Sequence, residues 1–491
     1  MSPPPPPYGQ SLALLTDLYE LTMAYGYWKS GMAEREAVFH LYFRRAPFGG
    51  AFAVACGIGP MVELLRGFRF TVDDLDYLRT LRASDGSALF ETAFLEYLHA
   101  FEFHCDVDAV REGAIVFPQE PLVRVRGPLL QAQILETLLL NVVNFQTLVA
   151  TKAARIAHAA QGEQILEFGL RRAQGVDGGL AASRAAYAGG CSATSNVLAG
   201  KLYGIPVRGT HAHSWVMSFD SELEAFHAWA RVMPANCIFL VDTYDTLEGV
   251  RNAIEAGKEL RRQGREMLGI RLDSGDLAEL SRQARRMLDD AGFTEARVFA
   301  SGDLDELRIE ELRREGAQIA VWGVGTKLVT AYDEPALGGV YKLGAIRDNG
   351  EWSDRLKLSD DVDKISNPGV QQVRRFRVDG RPVADVLYDE SRPLPQNVQA
   401  AALTEPHAHL EIPPEAVGED LLEPVFRDGV CLHEPPGLES VRAYAEQERL
   451  ALDPRLLARQ PMEYPVGLER SLHELKQELI ARHGLSASRT G

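Results

Sequence analysis

Six short stretches of polar and glycine residues carry most of the chemistry this sequence offers. They are Phe168-Gly169-Leu170-Arg171, Gly209-Thr210-His211-Ala212-His213-Ser214, Asp242-Thr243-Tyr244-Asp245, Asp273-Ser274-Gly275-Asp276, Ser301-Gly302-Asp303 and Gly323-Val324-Gly325-Thr326. Two of them, Ser301-Gly302 and Gly323-Val324-Gly325-Thr326, suit an oxyanion. Glycine lets the main chain approach a phosphate closely, and the free N–H groups point at it. Neither is a Walker A loop or a GxGxxG fingerprint. The LDSGD stretch sets Asp273 and Asp276 three residues apart at an expected helix start. Asp273 or Ser274 would cap that helix, with Asp276 in its first turn. Asp273, nearer the strand, also suits a sugar hydroxyl or a magnesium-bound phosphate, because magnesium takes few carboxylates together with phosphate oxygens. The His-Ala-His triplet has two readings. His211 and His213 fall on one side of an extended segment and could pair on a metal. Alternatively His213 alone is catalytic and His211 packs or hydrogen-bonds.

Each stretch follows a short apolar segment and most precede a helical pattern. ILEFG, IPVRGT, CIFLVDTYD, LGIRLDSGD, RVFASGD and AVWGVGT read as strands. Helical patterns follow near 180–203, 220–232, 246–264, 277–291 and 304–315. Strands ending near 168, 210, 242, 273, 302 and 325 suit βα units in a parallel sheet or barrel. In a βα barrel the C-terminal strand ends converge on one face, and that face holds the site.

The flanks read differently. Residues 11–30 form an amphipathic pattern that Thr16 or Asp17 would cap. VFHLYFRR and GAFAVACGI read as strands, and DAVREGAIVFPQEPLVRVRGPL as hairpins. A long helix is expected from Leu129 to Gln161, and its polar residues make it a buried helix rather than a membrane span. GGVYKLGAI, QQVRRFRV and PVADVLYDE suggest an antiparallel layer, and LERSLHELKQELIARH a terminal helix.

The composition, 46% hydrophobic and 25% charged over 491 residues, is that of a folded chain of two or three domains. The net charge of −17 argues against a nucleic-acid surface, which needs clustered Lys and Arg. Anions must therefore meet loop N–H groups, helix N-termini or single basic residues. Cys56, Cys105, Cys191, Cys237 and Cys431 show no CxxC spacing. Reduced thiols in a cytoplasm are expected. The proline run in MSPPPPPYGQ reads as a disordered leader, not a signal peptide.

In combination, TDLYELTMAYGYW, LEFGLRRAQG, GTHAHSW, LVDTYDT, IRLDSGDL, FASGDLDE and GVGTKLVTAYDEPALGGVYKL resemble the nicotinate phosphoribosyltransferase family, in order, from about 12 to 345. The resemblance implies a type II phosphoribosyltransferase fold: an irregular TIM-like α/β barrel plus an α/β sandwich built from the N-terminal part and later chain. The implied division is a leader at 1–10, the sandwich at 11–128, the barrel at 129–345, and a return to the sandwich with a C-terminal extension at 346–491. It implies transfer of phosphoribose from phosphoribosyl pyrophosphate to nicotinate, coupled to ATP through phosphohistidine, with Mg2+, in a cytoplasmic homodimer that binds neither nucleic acid nor membrane. His213 matches the phosphorylated histidine and is paired with Asp273 as catalytic. Phe168 and Tyr19 match the ring-stacking aromatics, with Tyr19 entering from the partner subunit. Arg171 matches the arginine near the substrate carboxylate and phosphate, and Asp273 and Arg271 match residues at the ribose and phosphates. Asp17, Thr210 and Ser214 complete the expected substrate contacts. Gly302, Gly325 and Thr326 match the 5′-phosphate cradle, joined by Ser301, Asp303 and Gly323. Related nicotinamide enzymes carry an aspartate where this chain has Ser195, which favours the acid over the amide. His211 stands where other members often carry an apolar residue. The alternatives are a nicotinamide or quinolinate phosphoribosyltransferase, or a metal-dependent barrel hydrolase using the two histidines.

Overall fold

Mostly apolar runs of two to four residues, too short for helices, build the sheet that carries the strand-end loops. The computed structural model describes residues 11–348, 350–361, 364–392, 394–395, 397–403 and 408–482. The expected leader at 1–10 lies outside them. The chain divides into two units, Val149–Pro335 and a discontinuous one made of Met1–Leu148 with Ala336–Gly491.

The continuous unit holds β1 (Gln164–Glu167), β2 (Ala193–Thr194), β3 (Ile238–Leu240), β4 (Gly269–Leu272), β5 (Arg297–Ala300) and β6 (Val321–Val324). Their order is β2-β1-β6-β5-β4-β3, every neighbouring pair parallel. Amphipathic helices return the chain between strands. In Thr246–Arg262 the residues Val250, Ala253, Ile254, Gly257 and Leu260 form one buried stripe at helical spacing. Asp245, Asp276 and Asp305 each accept a hydrogen bond from the main chain three residues on, so three strand-end acids are helix caps. The cap of helix Leu277–Asp290 is thus Asp276 itself, not Asp273 or Ser274.

Two expectations change in this unit. The helix expected over 180–203 is two, Gly175–Ala188 and Val197–Tyr203, with β2 between them. The strand expected at 205–210 shrinks to a single parallel bridge between Thr194 and Val207. The bridge consists of the Thr194 N–H on the Pro206 carbonyl and the Arg208 N–H on the Thr194 carbonyl, each at 3.0 Å.

The discontinuous unit is mostly antiparallel. Its seven-stranded sheet runs Glu351–Asp354, Gly339–Asp348, Glu36–Phe43, Val123–Pro128, Asp106–Val110, Leu422–Arg427, Val430–Cys431. A six-stranded sheet centres on Gln371–Val378 and Arg381–Asp389. A buried Arg375 guanidinium ties the six-stranded sheet to a two-stranded one, Ala53–Val54 with Ile115–Val116: it donates to Asp385 at 2.6 Å and to the Ile115 carbonyl at 2.8 Å. The segment expected as a strand at GAFAVACGI supplies only Ala53–Val54 before turning into helix Ile58–Arg66. The first helix starts at Leu18 rather than near 11, and Asp17 is its N-cap residue without a side-chain capping bond. By length and composition one described stretch, Leu129–Ala160, is apolar enough to cross a membrane, and 61% of its apolar window is buried inside the protein.

Candidate active site

Why the strand ends gather polar groups follows from the parallel sheet: every strand delivers its last residue to the same edge. Arg271, in β4, is the hub. Its guanidinium donates to the Ser301 hydroxyl at 2.7 Å, to the Thr210 hydroxyl at 3.1 Å and to Asp273 Oδ1 at 2.9 Å. The same guanidinium lies 5.5 Å from the Phe168 ring centre, a cation–π approach. Four strand-end loops therefore meet at one arginine. The Ser301 hydroxyl also donates to Asp273 Oδ1. Burial alone would raise the Asp273 carboxyl. The Ser301 hydroxyl and the Arg271 guanidinium outweigh it and hold the group below the usual carboxylate range.

His213 opens the short helix His213–Met217. Its Nδ1 is 3.1 Å from the Thr243 hydroxyl, and its Nε2 is 4.0 Å from Asp273 Oδ2. The ring is 40% exposed, so a substrate can reach it. Asp273 is fixed from behind as well: Asp242 Oδ2 accepts from the Asp273 N–H at 2.9 Å and from the Ser274 hydroxyl at 2.6 Å. His213 and Asp273 thus face each other, each held by the loop after β3.

The glycine loops lie beside this pair. Gly302 has φ +97°, and a Cβ there would come 2.2 Å from the Asp273 carbonyl oxygen. Only glycine lets β5 end so close to β4. Asp303 follows with φ 47°. A Cβ at Gly323 would come 2.8 Å from the Phe168 ring, so this glycine makes room for the aromatic. Gly325 is the N-cap residue of the short helix Thr326–Val329. Behind β1, the buried Glu167 carboxylate accepts from the Gly169 N–H and from the Ser183 and Thr194 hydroxyls.

Of the other expected residues, Ser195 is half-buried with its N–H on the Glu167 carbonyl at 2.9 Å, and Arg171 and Ser214 are exposed. Tyr19 and Asp17 belong to the discontinuous unit. There Tyr19 is 47% exposed on helix Leu18–Lys29. Beside it Glu20 is fully buried, accepts from Gln133 at 2.8 Å, and is pushed up to about 7 by burial.

The paired-ligand reading of the histidines fails. His211 is buried and its Nε2 accepts the Leu240 N–H at 3.2 Å, so that nitrogen serves the main chain. Among the described residues no group of three His, Cys, Asp or Glu side chains is arranged to hold a metal. Sequence reasoning passed over Asp242, Thr243 and Lys327. The first two lay within a noted strand-end stretch, yet their targets are 31 and 30 residues away in the chain. Lys327 follows the glycine loop Gly323–Thr326 and pairs with Asp305 at 2.5 Å, which sets a cation beside that loop.

Comparison with known proteins fits this geometry. Residues 164–373 match the model of the nicotinate phosphoribosyltransferase (NAPRTase) family. Residues 14–144 and 370–476 match its N-terminal and C-terminal domains. A nicotinate phosphoribosyltransferase of Bacillus subtilis (strain 168) is 43% identical over 96% of this chain and 95% of its own length. One of Dictyostelium discoideum is 38% identical over 95% of this chain and 88% of its own length. The crystal structure of human nicotinic acid phosphoribosyltransferase superposes with a TM-score of 0.83 at 34% identity, covering 94% of this chain and 99% of that one.

Proposed function

The chain belongs to the nicotinate phosphoribosyltransferase family, and from that premise we propose how its strand ends perform the reaction. The substrates are nicotinate, phosphoribosyl pyrophosphate, ATP and water; the products are nicotinate mononucleotide, pyrophosphate, ADP and phosphate. The observation that carries this reading is His213 Nε2 standing 4.0 Å from an ionised Asp273 held by Arg271 and Ser301.

The fold behind it is the irregular α/β barrel of the type II phosphoribosyltransferases, with the antiparallel unit as the accompanying sandwich. We place the division at 11–128, 129–345 and 346–491. The sheet order and the human relative's superposition support the barrel reading.

Pyrophosphate departs as the ribose carbon gains positive character, and the pyridine nitrogen of nicotinate bonds to that carbon. The protein must orient a weak nucleophile and stabilise developing charge. The ionised Asp273 is suited to the ribose and its growing cation. Loops Ser301-Gly302-Asp303 and Gly323-Val324-Gly325-Thr326 offer N–H groups to the 5′-phosphate, with Lys327 near by. Phe168 offers a face to the nicotinate ring, with Tyr19 of a second subunit on the other face. The exposed Leu15, Leu18, Tyr19 and Met23 around the first helix support such a homodimer. Arg171 is free to meet the nicotinate carboxylate, and Ser195 leaves that carboxylate unopposed.

Thr243 occupies Nδ1 of His213, so Nε2 is the nitrogen open to phosphoryl transfer. Nε2 attacks the γ-phosphorus of ATP, the N–P bond forms, and the bond to ADP breaks. Water later cleaves the N–P bond and releases phosphate. Asp273 fits a magnesium–pyrophosphate unit: it is one carboxylate whose Oδ2 faces His213 Nε2 at 4.0 Å and accepts no hydrogen bond among the described residues, the sparse donor set magnesium prefers. Bound there, magnesium would neutralise charge on the phosphates. A cytoplasmic setting follows from the substrates.

Product analysis with phosphoribosyl pyrophosphate and nicotinate or nicotinamide, with and without ATP, tests the reading. Mononucleotide from nicotinate, with more in the presence of ATP, is the expected result. Preference for nicotinamide would overturn the substrate assignment. Ser195→Asp is expected to shift preference toward the amide.

A further inference from the structure

We infer that His211 closes the open seam of the parallel sheet by accepting the edge N–H of Leu240, and that this closure makes it the positioning residue for His213. The catalytic half of this inference rests on the proposed role of His213; the seam itself does not.

The sheet has two edges. β3 is one, and β2, extended by the Val207 bridge, is the other. In β3 the Val241 N–H donates to the Arg271 carbonyl of the neighbouring strand at 3.2 Å. Successive main-chain N–H groups point to opposite sides of a strand, so the Leu240 N–H faces the open edge. An unpaired buried N–H is costly, and here a side chain supplies the missing acceptor. His211 Nε2 takes it at 3.2 Å. The chain carrying His211 has just left the opposite edge at Val207. An imidazole therefore stands where a strand carbonyl would complete a closed sheet.

The ring is built for this use. It is buried against Trp229, with ring centres 5.1 Å apart, and Phe226, at 6.0 Å. Accepting at Nε2 requires the proton on Nδ1, which lies 3.4 Å from the Ala212 carbonyl. Burial pushes the ring down to about 4, so it stays neutral and keeps its lone pair.

Only Ala212 separates His211 from His213. The segment is pinned at three points: Thr210 on Arg271 at 3.1 Å, His211 on Leu240 at 3.2 Å and His213 on Thr243 at 3.1 Å. Freeing the middle pin lets the His213 main chain move relative to β3, whose loop supplies Thr243. A departure of a few tenths of an ångström matters for in-line phosphoryl transfer and much less for holding a flat ring on Phe168.

The test uses the full-length protein and two variants. His211→Phe keeps an aromatic ring and lacks the acceptor. His211→Gln lacks the ring but has a carbonyl that reaches close to where Nε2 stood. Two readouts are taken: hydrogen–deuterium exchange at the Leu240 amide, and the single-turnover rate of label uptake from γ-phosphate-labelled ATP. In His211→Phe, exchange should quicken and label uptake should slow, each by about tenfold. The nicotinate KM should stay within about twofold, as expected when uniform substrate binding is untouched. His211→Gln should restore both rates. Wild-type exchange and labelling in His211→Phe would overturn the inference, as would His211→Gln behaving like the Phe variant. Should His211→Phe fail to fold, the imidazole nitrogen shifts of the wild-type protein decide. A neutral ring protonated on Nδ1 supports the seam, and one protonated on Nε2 overturns it. Wild-type protein that takes no label would reject the phosphohistidine reading and leave the exchange measurement to judge the seam.

Discussion

Replacing Thr243 with valine removes one hydroxyl and keeps the side-chain shape. That hydroxyl is 3.1 Å from His213 Nδ1 and is the ring's hydrogen-bond partner opposite Asp273. The hydrogen bond holds the tilt of the imidazole, and because a hydroxyl can donate or accept it serves either tautomer. A neutral hydrogen bond contributes about 0.5–1.5 kcal/mol net, which corresponds to a rate factor of about 2–13. A bond that strengthens as the ring becomes cationic reaches about 3 kcal/mol, or roughly 150-fold. The structure selects the lower range, because the His213 side chain is 40% exposed and water can replace the lost partner. Thr243→Val should therefore slow phosphohistidine formation about two- to tenfold, read as single-turnover label uptake from γ-phosphate-labelled ATP. Transfer without ATP should change much less. Labelling at the wild-type rate would show that the hydroxyl does not orient the ring. A loss beyond a thousandfold would show that Thr243 takes part in the chemistry itself.

Other perturbations have equally definite outcomes. His213→Ala should abolish label uptake and ATP stimulation while leaving some transfer; a variant that still takes label would exclude His213 as acceptor. Gly302→Ala forces a left-handed backbone and a 2.2 Å contact onto a side chain, costing about 2–4 kcal/mol. Its Tm should fall by roughly 5–15 °C; an unchanged Tm would contradict the close approach of β5 to β4. Glu20 has an ordinary value of 4.5 and is pushed up to about 7 by burial. The folded chain holds that proton more tightly, so its contribution is complete below about pH 4.5 and is lost as pH rises through 7. Glu20→Gln mimics the protonated carboxyl, so its Tm should gain on the wild type between pH 5 and pH 8. Parallel Tm curves across that range would refute this.

How much of this was legible follows from the range of each interaction. The strand-end loops were legible because apolar residues give way to polar ones at each turn, a local signal. The Asp276 cap was half legible: the helix start was evident, but which of three neighbouring polar residues caps it depends on backbone geometry. β2 was not legible, because two residues, Ala193 and Thr194, sit between helical stretches and have no period of their own. At 205–210 the apolar pattern suggested a strand that pairs only at Val207, since strand formation depends on a partner that pattern does not reveal. The order β2-β1-β6-β5-β4-β3 places the first strand beside the last, which no local feature encodes. Asp242 and Thr243 escaped for the same reason: their work is done on the two following and preceding loops.

The strand Glu36–Phe43 takes Gly339–Asp348 on one side and Val123–Pro128 on the other, with Ala37 opposite Ile346. At a synthesis rate of about 5–20 residues per second, this leaves one side waiting roughly 15–60 s for its mate. Throughout that interval the ribosome carries a fringe of main-chain donors and acceptors beside Phe39 and Leu41, open to any passing extended peptide. All of residues 149–335 emerges meanwhile and is free to fold first. The nascent polypeptide thus carries a half-made sheet and a complete insertion at once, and its yield in a cell depends on what shields that fringe until residue 348 appears.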